Sequence, residues 1–138
     1  LPRDALSLAI NAAAGRSQDQ LHIHLDCVRA DVRDALRRQA GGIGAAWAPL
    51  GEAVGGHRYL AMRVDGEGLD AANPFRLLAD GVPGAAGEMG RHTLVVVGMI
   101  FGGGTPGFVL LDDRSDPLYG DFGNGESLQD HDCAVARR

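Results

Sequence analysis

Gln20, His22, His24 and Asp26 alternate with Leu21, Ile23 and Leu25 within the segment Arg16-Ser-Gln-Asp-Gln-Leu-His-Ile-His-Leu-Asp-Cys27. A period of two belongs to a strand, so the four polar groups share one face and the aliphatic ones the other. Two imidazoles side by side on a strand have two useful chemistries, work on a phosphoryl group and metal ligation. In the first, one imidazole attacks phosphorus in line and forms a phosphoramidate that water opens. Gln20, Ser17 and Asn11 are then natural contacts for the phosphate oxygens, and no metal is needed because these donors supply the electrostatics. In the second, His22, His24 and Asp26 form an H-x-H-x-D ligand run, completed by His57, His92, His131 or an aspartate. A third reading is a sheet edge that happens to carry two histidines. The H-x-H spacing alone does not separate the three.

The surrounding chain predicts the frame that must hold this strand. Ala5 to Asn11 reads as a buried strand, Ala12 to Asp19 as a polar connection and Gln20 to Val28 as the histidine strand, together an antiparallel hairpin. Asp31 opens a helix with Val32, Ala35, Leu36 and Gln39 on one face and Arg33, Asp34, Arg37 and Arg38 on the other; Gly41-Gly42 ends it. His57 to Val64 reads as a strand with Tyr59, Ala61 and Arg63 on one face. Asn73-Pro74 starts a short helix that Pro83-Gly84 stops. Thr93 to Phe101 and Phe108 to Asp112 form a second hairpin around Gly102 to Gly107, and Glu126 to Cys133 a short terminal helix. That Gly-rich turn lacks the GK[ST] ending of a phosphate loop and precedes a strand, so it reads as a hairpin turn. The sum is one α+β domain over residues 1–138, a largely antiparallel sheet with a few flanking helices.

Bulk properties narrow the classes. At 138 residues the chain has one domain's length. A net charge of −5 argues against a nucleic-acid groove. All 13 basic residues are Arg; its planar fork suits phosphate and carboxylate, and the bias equally fits GC-rich coding. No apolar run is long enough to span a bilayer. Cys27 and Cys133 either stay as buried thiols or form a bridge tying the tail to the histidine strand, worth roughly 2–4 kcal/mol. Arg16 and Arg29 flank the strand and are candidates for phosphate or for solvent. Tyr59 and Trp47 are candidates for cytosine stacking or for the core.

The order of a strand ending in Asn11, a loop with Gly15 and Ser17, and the histidine strand resembles the histidine-triad superfamily. In that pattern the loop serine lies three positions before the first triad residue, so the triad falls on Gln20, His22 and His24. The resemblance makes the middle residue, His22, the nucleophile and leaves Asp26 outside. Gln20 departs from the usual histidine and cannot titrate. The blocks LSLAINAAAGRSQDQLHIHLDCVRADVR, GHRYLAMRV, NPFRLLADGVPGA, MGRHTLVVV, FVLL and LQDHDC are similar, in order, to the CDP-diacylglycerol pyrophosphatase family. This implies a histidine-triad-like fold and metal-independent, cofactor-free hydrolysis of CDP-diacylglycerol to CMP and phosphatidate through a histidine-nucleotidyl intermediate. The catalytic pair would be His22 and His24, with Asn11, Ser17 and Gln20 binding phosphate. It further implies work at the bacterial inner membrane surface, on the periplasmic face, possible homodimers, and a longer natural chain with an amino-terminal segment and anchor or signal before Leu1. Two alternatives remain open: a histidine-triad hydrolase or transferase acting on soluble nucleotides, and a non-catalytic metal module built on His22, His24 and Asp26.

Overall fold

A stretch that is apolar at odd and even positions alike is satisfied only when both of its faces are buried. In the computed structural model, which describes residues 2–13 and 23–137, this is the fate of β5 (His92–Phe101). It lies inside a six-stranded sheet with β1 (Leu6–Ile10), β2 (His24–Cys27), β3 (Ala48–Pro49), β4 (Leu60–Asp65) and β6 (Thr105–Arg114). The order across the sheet is β2-β1-β5-β6-β4-β3, and every pairing is antiparallel. The fold is therefore α+β, with α1 (Ala30–Gln39) and α2 (Pro74–Gly81) flanking the sheet.

Strand alternation sorts the core onto two faces. Ala9, Val95, Val97, Val109, Leu111 and Ala61 face α1 through Val32 and Leu36. Ile10, Leu94, Val96, Leu110 and Met62 face α2 through Leu78. The start of α2 is set locally: Asn73 accepts hydrogen bonds from the backbone N–H of Phe75 and Arg76, and Pro74 occupies the first turn. Gly98 is required by close approach, because a Cβ there would collide with the Arg3 carbonyl of the turn lying across β5.

Several expectations are corrected. Arg33 is buried rather than solvated; its guanidinium reaches the Val135 carbonyl and Asp34, because the chain terminus packs over that side of α1. The strand expected from His57 begins at Leu60, since Val54 and His57 pair with each other around Gly55-Gly56, both at positive φ. The β5–β6 turn is only Gly102–Gly104, so β6 starts earlier than Phe108. The terminal helix resolves into two short 3-10 turns, Gly125–Leu128 and Ala134–Arg137. Of the two readings offered for Tyr59 and Trp47, the core one holds: Tyr59 is buried, and Trp47 packs beside α2 with its indole N–H donating to the Leu77 carbonyl at 3.0 Å. Among the described residues no helix is long and apolar enough to cross a membrane.

Candidate active site

The expected hairpin is present: β1 and β2 pair with Ala9 opposite His24 and Ser7 opposite Asp26. His24 and Asp26 therefore project to the face that carries Ala9 and α1, while Leu25 projects to the other. Ser17, Gln20 and His22 lie outside the described residues, as does Arg16. The site is built from β2 and from what stands beside it.

One carboxylate organises it. Glu126 Oε1 lies 2.8 Å from His24 Nδ1, and Glu126 Oε2 accepts from Asn11 Nδ2 at 3.0 Å. Asn11 in turn accepts from the backbone N–H of Gly125 at 2.8 Å and of Glu126 at 3.4 Å. Asn11 is buried, whereas His24 and Glu126 keep more than a third of their side chains exposed. A carboxylate can only accept, so Nδ1 of His24 carries a proton. The arrangement is an oriented imidazole facing solvent, suited to hydrogen bonding or proton transfer with a bound phosphate. The Asn11 amide, expected to bind phosphate oxygens or to orient the loop, holds Glu126 and the turn that carries it.

The 123–133 segment is fastened to the hairpin at many points. Gly123 has φ +70° and Gly125 packs on Thr93 and Val95; a Cβ on Gly125 would stand 2.8 Å from Val95 Cγ2. The Gln129 amide donates to the His24 carbonyl at 2.8 Å and to Ser7 Oγ at 3.0 Å. Cys27 and Cys133 form a disulfide with Cα atoms 5.3 Å apart, settling the open choice between bridge and thiols. His131 pairs with Asp26, which also accepts from the Cys27 N–H. Asp26 thus serves the tail. Arg29 pairs with Asp31 and donates to the Ser127 carbonyl, a second clasp.

The other histidines are engaged elsewhere. His92 is buried on the opposite face, with Nδ1 2.7 Å from Asp112 Oδ1. Burial raises the Asp112 carboxyl above its usual range, although the His92 hydrogen bond and charge oppose it. His57 meets Asp113 and Asp121, whose ligand atoms lie within 4.8 Å of one another. Burial, then the hydrogen bond and charge of Asp121, push the Asp113 carboxyl up to about 8. This trio has donors suited to a divalent ion. The loop that carries His57 packs on the turn that holds Glu126, since a Cβ on Gly55 would collide with Leu128. A second gathering, Asp26 with Cys27 and Cys133, has its sulfurs bonded to each other rather than available as thiolates.

Glu126 and Gln129 were missed from sequence, because nothing in the spacing links residues so distant from the histidine strand. The single signal was the block LQDHDC, which contains Gln129. A family model described as CDP-diacylglycerol pyrophosphatase matches residues 1–137.

Proposed function

Because the chain belongs to the CDP-diacylglycerol pyrophosphatase family, we propose that its reaction takes place on the histidine face of β2, with His22 as nucleophile. The family fixes the coarse chemistry: the protein is a hydrolase of phospholipid metabolism acting on CDP-diacylglycerol. In the mechanism we favour, a neutral His22 nitrogen attacks the phosphorus that bears cytidine. The P–N bond forms as the bond to the phosphatidate oxygen breaks, and phosphatidate leaves. Water then attacks the CMP-histidine intermediate, releases CMP and restores the imidazole. His24 hydrogen-bonds the phosphate and shares the proton traffic, while Ser17 and Gln20 bind non-bridging oxygens. Asn11 acts as a positioning residue. No metal enters any step.

The observation that carries this reading is the Asn11–Glu126–His24 chain. It orients an imidazole two residues from His22 on a strand whose sequence alternates polar and apolar residues. The Cys27–Cys133 bridge supports an oxidising compartment, consistent with work at the periplasmic face of a bacterial inner membrane. The test is release of CMP and phosphatidate from micellar CDP-diacylglycerol in the presence of chelator, comparing wild type with His22→Ala. Chelator-resistant release that disappears in the variant is expected. Wild-type turnover in His22→Ala, or loss of turnover on chelation, sinks the mechanism.

A further inference from the structure

β2 is the edge strand of the sheet, and its two faces have opposite character. On one face stands His24 with its carboxylate partner. On the other stands Leu25, 71% exposed, above a groove of about 410 Å³ lined by Leu6, Leu8, Val96 and Phe108. α2 covers the Ile10 and Leu94 end of this face, and the groove opens beyond it, toward Leu8 and Val96. Arg3 closes its far side, stacked 5.1 Å from the Phe108 ring centroid and hydrogen-bonded to the carbonyls of Glu67 and Gly107. Its charge is therefore part of the wall, and the floor is hydrocarbon. Exposed aliphatic side chains on an unpaired edge strand are what soluble proteins ordinarily avoid.

We propose that this groove seats an acyl chain of the substrate, with the lipid passing around the edge of β2 from the phosphate site to the apolar face. The inference rests on the reading that phosphorus reacts on the histidine face of β2. The substrate joins its pyrophosphate to a diacylglycerol, so from the phosphorus beside His24 the chain runs through the second phosphate and the glycerol before its acyl hydrocarbon begins. Leu25 is the next residue along β2, and among the described residues no strand lies outside β2 on that path. The occupant is thus chosen by continuity between the two sites and by the shape and composition of the groove.

The test uses CDP-diacylglycerol analogues of increasing acyl length, each assayed as monomers below its aggregation threshold. In wild type, kcat/KM is expected to rise by up to about fourfold per added methylene and then level off once the groove is filled. Leu25→Glu is expected to flatten that slope and to lower the ratio of long-chain to short-chain kcat/KM by about tenfold or more. Turnover in wild type that is independent of acyl length overturns the groove alone. Equal losses at every length in Leu25→Glu also overturn it, because the substitution would then act through His24. Sedimentation of both proteins supplies the remaining arm: a wild-type dimer that Leu25→Glu converts to monomer assigns the groove to a second copy and overturns the proposal. Full activity of His22→Ala in the same series would sink the β2 mechanism, whatever the length dependence.

Discussion

The Glu126 carboxylate stands 2.8 Å from Nδ1 of His24 and, through its other oxygen, 3.0 Å from the Asn11 amide. One residue from the carboxyl-terminal turn thereby fixes the ring orientation of one strand and the end of the next. Removing it frees the imidazole to rotate and to exchange tautomers. Glu126→Ala is expected to lower kcat by about 10²-fold, the low end of what a positioned acid/base group contributes. Glu126→Gln should lose less, since its carbonyl oxygen still accepts from Nδ1–H. Steady-state kinetics on both variants check this; wild-type kcat in Glu126→Ala would show that His24 needs no orienting partner.

Gly125 links packing to that geometry. A Cβ at this position would stand 2.8 Å from Val95 Cγ2 and 2.9 Å from Thr93 Cγ2, both fully buried side chains of β5. Gly125→Ala must push the turn outward, at a cost of about 1–3 kcal/mol. The displacement also pulls Glu126 from His24. Denaturant midpoint and turnover should therefore fall together, and a variant with unchanged kcat and reduced stability would separate the two effects.

Much of the frame was legible in the sequence because it is local. The β1–β2 hairpin, α2 with its Asn73 cap, and β5 paired with β6 each follow from alternation, capping or turn residues within about ten positions. Arg33 was misplaced because helical periodicity reports a face, not what later covers it; the terminal turn around Val135 does so here. Half of the site was hidden for the same reason. Glu126 reaches His24 only through the return of the tail, and no periodicity encodes a pairing across that separation. Ser17, Gln20 and His22 were singled out from sequence and remain outside the described residues, so their roles stand as proposals.

The disulfide fastens the tail that carries Glu126 and Gln129. It joins cysteines separated by 106 residues, so opening it releases a long loop in the unfolded chain. Cys133→Ser is expected to lower stability by roughly 2–4 kcal/mol. Residual Asn11, Gln129 and Asp26 contacts should preserve part of the activity at low temperature. Thermal melts with and without reductant test this; coincident curves would show that the bridge contributes nothing to the folded state.

Asp113 gives the protein a pH dependence of its own. Burial and the neighbouring Asp121 carboxylate raise its carboxyl to about 8, from an unfolded value near 4. Across that window the folded protein keeps a proton that the unfolded chain releases. The associated stability is fully present below the unfolded value and is lost as pH rises through the folded one. His57 and the buried Tyr59 lie beside the pair, and the carboxylates also push the Tyr59 hydroxyl above its ordinary range, after burial itself. Asp113 is partly exposed, so solvent screening keeps the effect modest, on the order of a few degrees in Tm. Melting temperature should fall from about pH 5 to about pH 9 in wild type, and Asp113→Asn should flatten that decline by removing the titrating carboxyl while retaining a hydrogen-bonding group. Parallel profiles for the two proteins would show that Asp113 ionises in the folded state as it does in the unfolded chain.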